Sequence, residues 1–155
     1  MEIASIAPDL VEQLVIVCSR DTPFPSFAAA ADGLDAGDPI DTDSAVHRWF
    51  RPAEIAARPA FVDDIAAQLM GADRRSWATA LRGIAAFDAV TATSNITVPA
   101  IVIAAEYDSV GTPRVMREMA QRLPVAKFSV IPDASHMSLF LDPIRFATAI
   151  DADST

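Results

Sequence analysis

Three short runs constrain this chain more than any other feature of its sequence. They are Leu14-Val15-Ile16-Val17-Cys18, Val98-Pro99-Ala100-Ile101-Val102-Ile103-Ala104-Ala105, and Ala126 to Ile131, which is apolar apart from Lys127 and Ser129. The third reads as a further strand, while the first two show little of the in–out alternation of a half-exposed strand. They fit strands covered on both faces, as in a parallel sheet. Pro99 stands at the start of the second run, where a missing N–H is tolerated. Parallel neighbours need a long crossover, usually a helix. Pro113 to Leu123 supplies one, with Pro near its first turn and Val115, Met116, Met119 and Leu123 on the apolar side. Asp142 to Ile150 reads as a final helix, capped by Asp142 with Pro143 at its first position. The pattern predicts an α/β fold of about three parallel strands with flanking helices.

The stretch between the first two runs has a different character. Residues 4–12 read as the end of a helix entering a turn at Pro8-Asp9, ahead of the first strand. Asp21-Thr22-Pro23-Phe24-Pro25 ends that strand, because its two prolines oppose both helix continuation and ladder pairing. Residues 26–44 read as a helical turn followed by a mobile loop. Three short amphipathic helices are expected next. One is capped by Ser44 and carries Val46, Trp49 and Phe50. A second spans Ala60 to Met70 with Phe61, Ile65 and Leu69 in line. A third is capped by Asp73, with Trp77, Leu81 and Ile84 on one face. The expected organisation is a core of residues 1–25 and 91–155, interrupted by a helical insertion over 26–90.

Composition removes several function classes. With 52% hydrophobic and 21% charged residues, the 155-residue chain is neither disordered, collagen-like nor a coiled coil. Its formal charge of −9 repels a phosphate backbone and an anionic membrane surface, so neither nucleic acid nor membrane is an expected partner. No segment reaches the roughly 18 continuous apolar residues of a transmembrane helix. No basic-then-apolar leader opens the chain, and a cytoplasmic location is expected. Cys18 is the one cysteine and reads as a small buried apolar residue. His47 and His136 are the two histidines, without metal-ligand spacing, and no Gly-rich phosphate loop is present. No metal and no cofactor are expected.

Functional groups in open parallel sheets collect beyond the carboxyl ends of the strands. The second run ends in Glu106-Tyr107-Asp108-Ser109 and the third in Pro132-Asp133-Ala134-Ser135-His136-Met137. An acid and an imidazole are therefore presented by neighbouring loops. Such a pair fixes the imidazole tautomer and leaves the second nitrogen free as a base. Spacing alone leaves a second reading open, in which Asp108 caps the next helix and His136 is an ordinary turn residue.

The run Ala105-Glu106-Tyr107-Asp108-Ser109-Val110-Gly111-Thr112-Pro113 resembles the G-x-x-D-x-x-x-x-P segment of α/β-hydrolase-fold enzymes. Asp133-Ala134-Ser135-His136-Met137, followed by Asp142-Pro143-Ile144-Arg145-Phe146, is similar to that family's G-x-G-H turn and closing helix, with Asp133 and Ser135 in place of two glycines. Arg48-Trp49-Phe50-Arg51-Pro52 and Ser76 to Asp88 look like the helical cap of the 3-oxoadipate enol-lactonase-like branch. The resemblance implies a partial α/β-hydrolase fold in which 26–90 is the cap. Asp108 matches the triad acid, His136 the catalytic histidine, and Arg48 and Trp49 the first substrate-contact candidates. It implies hydrolysis of a small-molecule ester or lactone through a Ser–His–Asp triad of which only Asp and His are on this chain.

No G-x-S-x-G occurs in the sequence. In this family the elbow and its strands precede the matched region, so the resemblance places them before residue 1. Gly33-Leu34-Asp35-Ala36-Gly37 formally matches a carboxylate elbow but follows no strand, so Asp35 is not assigned as nucleophile. A piece of a longer chain, a truncated gene product, or a partner chain supplying the other half would each produce this pattern. Whether the chain is itself an enzyme therefore stays open. The alternative is a catalytically inactive remnant, acting as an interaction or dimerisation module through the exposed sheet edge at Leu14 to Cys18.

Overall fold

The structure, a computed structural model, describes residues 1–154. In chain order the elements are α1 (Glu2–Ile6), a 3₁₀ turn (Pro8–Leu10), β1 (Leu14–Val17), α2 (Ser26–Ala36), α3 (Thr42–Trp49), α4 (Pro52–Ala57), α5 (Pro59–Met70), α6 (Arg74–Ala86), α7 (Val90–Ser94), β2 (Ala100–Ala105), α8 (Pro113–Arg122), β3 (Ala126–Ile131), α9 (Ser138–Leu141) and α10 (Pro143–Ser154). They form two compact units, Met1–Asp21 with Ala89–Thr155, and Thr22–Asp88.

The first unit holds a parallel sheet in the order β1-β2-β3. Leu14 pairs with Ala100 and Ala100 with Ala126, so the three strands start in step. All six residues of β2 are buried, as its unbroken apolar run requires. Val102 and Ala104 join Ile16, Met116, Met119 and Leu123 on the side covered by α8. Ile101, Ile103 and Ala105 join Ile131 and Phe146 on the side covered by α10. Full burial of each large aliphatic side chain stabilises by about 1.5–3 kcal/mol, which makes β2 the energetic centre of this unit. β1 is less covered than its sequence predicts, because it is an edge strand: Ile16 is buried while Val15 is 38% exposed.

α8 begins as expected, with Pro113 in its first turn and the Thr112 hydroxyl accepting from the Val115 N–H at 3.3 Å. Its last residue, Arg122, reaches back 101 positions to a fully buried carboxylate. Nε and Nη2 donate to the two oxygens of Asp21 at 2.9 and 2.5 Å. The Asp21 carbonyl accepts from the Ala89 N–H at 2.8 Å. The segments that leave and re-enter the first unit are thus tied side by side, and the paired guanidinium compensates the cost of burying the carboxylate.

The described elements of the second unit are all helices. α2 packs against α6, and α5 against α3 and α4. Edge-on aromatic pairs fill the contacts, with Trp49–Trp77 and Phe50–Phe61 each at 6.3 Å between ring centroids. Two expectations are corrected here. Residues 26–36 form an eleven-residue helix rather than a turn and a mobile loop. The Ala28–Ala31 run has strong helix propensity, and Gly37, at φ 113°, supplies the left-handed residue that ends the helix. The cap of α3 is Asp41, whose carboxylate accepts the Ser44 N–H at 3.0 Å, so Ser44 lies within the first turn. Asp73 does cap α6, through the Ser76 N–H at 2.8 Å.

Candidate active site

The parallel register brings the ends of β2 and β3 level, and the two loops that follow carry the acid and the imidazole. Asp108 has a fully buried side chain. Its Oδ1 accepts from the backbone N–H groups of Val110 at 2.7 Å and Gly111 at 3.0 Å. Its Oδ2 lies 2.9 Å from Nδ1 of His136, whose side chain is 24% exposed. An ionised carboxylate can only accept, so Nδ1 carries the proton and, in the neutral ring, Nε2 is the base. The arrangement can take a proton from a group placed at Nε2 and stabilise the resulting imidazolium.

The acid's loop is braced from the end of β1. A Cβ on Gly111 would stand 2.5 Å from the Ser19 carbonyl oxygen and 2.7 Å from its nitrogen, so only glycine lets the two segments pass this closely. Arg20 Nη1 donates to the Val110 carbonyl at 3.1 Å. Burial lowers the Arg20 pKa, against the opposing pull of Asp21 and Asp108. Cys18 turns the chain at φ 47°. Its thiol is pushed up to about 12, first by burial and then by the negative charge of Asp108.

The histidine's loop has its own supports. Asp133 adopts φ 50°, the left-handed conformation for which the family pattern uses glycine. Its N–H donates to Oε2 of Glu106 at 2.8 Å, and the Tyr107 N–H donates to the Ala134 carbonyl at 2.8 Å. The Arg145 guanidinium donates to the Pro132 carbonyl. Ser135 and Ser138 are buried beside His136, and the Ser135 N–H donates to the Ser138 hydroxyl at 2.6 Å. Sequence reasoning missed Glu106, Arg20 and Ser138 as supports of this site. Glu106 and Ser138 lie within a few residues of the two motif residues. Arg20 carries no local signal, since its partner is 90 positions away.

Arg48 and Trp49 lie in the second unit, on the last turn of α3. Arg48 lines a cavity of about 270 Å³ together with Phe27, Leu34, Ile40, Trp77 and Leu81, and its guanidinium sits 5.2 Å from the Phe27 ring centroid. Trp49 is half-buried and packs edge-on against Trp77. Asp35 lies within α2, not at a strand-to-helix turn, and pairs with Arg82 at 2.6 Å. His47 is exposed, with Nδ1 3.0 Å from the Asp43 carbonyl. Among the described residues no cluster of three His, Cys, Asp or Glu side chains could hold a metal ion, and no helix is long and apolar enough to cross a membrane.

Comparison with known proteins agrees with this architecture. Solved structures superpose over nearly the whole chain. An enol-lactonase from Burkholderia xenovorans LB400 matches with a TM-score of 0.88 at 25% identity, over 96% of this chain and 58% of its own. A hydrolase from Pseudomonas aeruginosa PA01 gives 0.86 at 22% identity, over 96% and 57%. A thermophilic esterase from Thermogutta terrifontis gives 0.80 at 22% identity, again over 96% and 57%. The chain therefore spans less than two thirds of the length of these relatives, and the fold is a partial α/β-hydrolase fold. No curated protein matches the sequence. The sequence family described as "Alpha/beta hydrolase family" matches residues 3–149, and the chain belongs to it.

Proposed function

We propose that this chain carries the acid–base part of an ester- or lactone-hydrolysing α/β hydrolase, with His136 as general base and Asp108 as the acid that orients it. The observation that carries the reading is the 2.9 Å bond from His136 Nδ1 to a buried carboxylate held by two further N–H groups. The esterase and the enol-lactonase among the structural relatives support the substrate class. Within the second unit, Arg48 is the proposed substrate contact, because it lines the cavity there, and Trp49 supports that wall through Trp77.

A positioned base contributes about 10²–10⁴-fold only where a nucleophile lies within reach, and oxyanion donors usually contribute more than the base does. This sequence has no G-x-S-x-G, so the nucleophile is proposed to lie on polypeptide outside these 155 residues. The test is an assay of the purified chain and its His136→Ala variant on activated esters and lactones, with a fluorophosphonate probe for an activated serine. No turnover above His136→Ala and no labelling are expected. His136-dependent turnover with a labelled residue of this chain would overturn the assignment of the nucleophile.

A second reading, self-association through the sheet edge, is favoured by one observation. Among the described residues β1 pairs with β2 alone; Val15 on it is 38% exposed, and Ile3, Ile6 and Leu10 in the segment leading into it are 62 to 80% exposed. An apolar edge of this kind templates pairing with a second copy. Light scattering should give a mass above the monomer's that returns to monomer in Val15→Lys. A monomer at high concentration would remove this reading.

A further inference from the structure

From the lacing between the loops after β2 and β3, we infer that Glu106 is a positioning residue for His136. Glu106 stands two residues before Asp108 in the loop that presents the acid. Its carboxylate reaches across to the other loop and accepts the N–H of Asp133, 27 positions away, at 2.8 Å. Asp133 is the one non-glycine residue of that loop in the left-handed region, and it begins the turn that delivers His136 three residues later. Aspartate tolerates positive φ better than most L-residues but less well than glycine, so a bond that fixes the Asp133 N–H helps to hold this turn.

Besides the Asp108–His136 pair itself, two main-chain bonds also join these segments. Tyr107 donates to the Ala134 carbonyl, and Glu106 donates its own N–H to the Ile131 carbonyl at 3.0 Å. The Glu106 carboxylate is thus a side-chain contribution to the lacing, and a bond to an ionised acceptor is a strong one. Glu106 is exposed, so burial gives no account of its presence. Its bond sets the start of the His136 turn relative to the loop bearing Asp108, and thereby the approach of Nδ1 to Oδ2. The inference rests on the reading of Asp108 and His136 as a working pair.

The experiment follows the imidazole and not turnover. Nitrogen-15 NMR of the full chain, with His47→Gln to leave one imidazole, reports the His136 tautomer and the solvent protection of its Nδ1–H. Amide exchange reports the Asp133 N–H. Glu106→Ala is expected to lose the protected Nδ1–H signal and to speed Asp133 exchange by about tenfold. Glu106→Gln is expected to keep both, because its amide oxygen accepts the same bond. Should Glu106→Ala fail to fold by circular dichroism, Glu106→Asp, one methylene too short, takes its place with the same expectation. An unchanged imidazole in Glu106→Ala overturns the inference, even if the Asp133 amide accelerates. So does a Gln variant that behaves like Ala. Absence of a protected Nδ1–H in the parent chain would instead count against the acid–base reading itself, so the two failures are distinguishable.

Discussion

His136 Nδ1 and Asp108 Oδ2 stand 2.9 Å apart although 28 residues separate them in sequence, and the parallel register of β2 and β3 is what closes that gap. The carboxylate gives its other oxygen to the N–H groups of Val110 and Gly111, so one side chain both shapes its own loop and holds the imidazole. Removing it leaves two buried donors without partners. Asp108→Ala should cost about 2–4 kcal/mol of stability by urea denaturation, while Asp108→Asn, which keeps an acceptor for those donors, should cost less. Equal losses would show that the loop does not depend on that oxygen.

Two glycines should respond in opposite directions to the same substitution. Gly111→Ala drives a methyl into the Ser19 backbone and should destabilise by about 1–3 kcal/mol. Gly83 lies inside α6 with open space around the position an added methyl would take, so Gly83→Ala should stabilise by about 0.5–1 kcal/mol. Thermal and chemical denaturation of the two variants would check the signs.

Cys18 should be inert in the folded chain. Its thiol pKa stands at about 12 against an ordinary 9.0, raised first by burial and then by Asp108. The protonated form therefore favours the folded state. That contribution is fully present below pH 9 and is lost as pH rises from about 9 to about 12. The slope should approach 1.4 kcal/mol per pH unit at most, by the relation of about 1.36 kcal/mol per pKa unit. Native protein should resist iodoacetamide at about pH 8, below the ordinary thiol pKa, and react once unfolded. A Cys18→Ala variant should show a flatter stability curve above about pH 9.

Ser129 offers a stabilising substitution. Its hydroxyl is buried on β3 with no hydrogen-bond partner. Ser129→Ala removes an uncompensated polar group while leaving a small void, and should raise stability by about 1 kcal/mol. A clear loss in urea denaturation would indicate that the hydroxyl does have a partner in solution.

Much of the core was legible in the sequence by itself. The unbroken apolar run of β2 implied burial on both faces, and all six residues are buried. Pro113 and Pro143 marked the starts of α8 and α10. Asp108 and His136 were legible as loop residues after consecutive strands, because strand ends can be read from local composition. Local pattern did not reveal α2 as a full helix, since Gly33, Asp32 and Asp35 match a loop as well as a helix surface. The supports of the site depended on the tertiary structure. Arg20 on Val110, Ser19 against Gly111 and Glu106 on Asp133 each join segments 27 to 92 positions apart. A hydrogen bond acts over about 3 Å, and no residue pattern records which distant segments a sheet will bring within that reach.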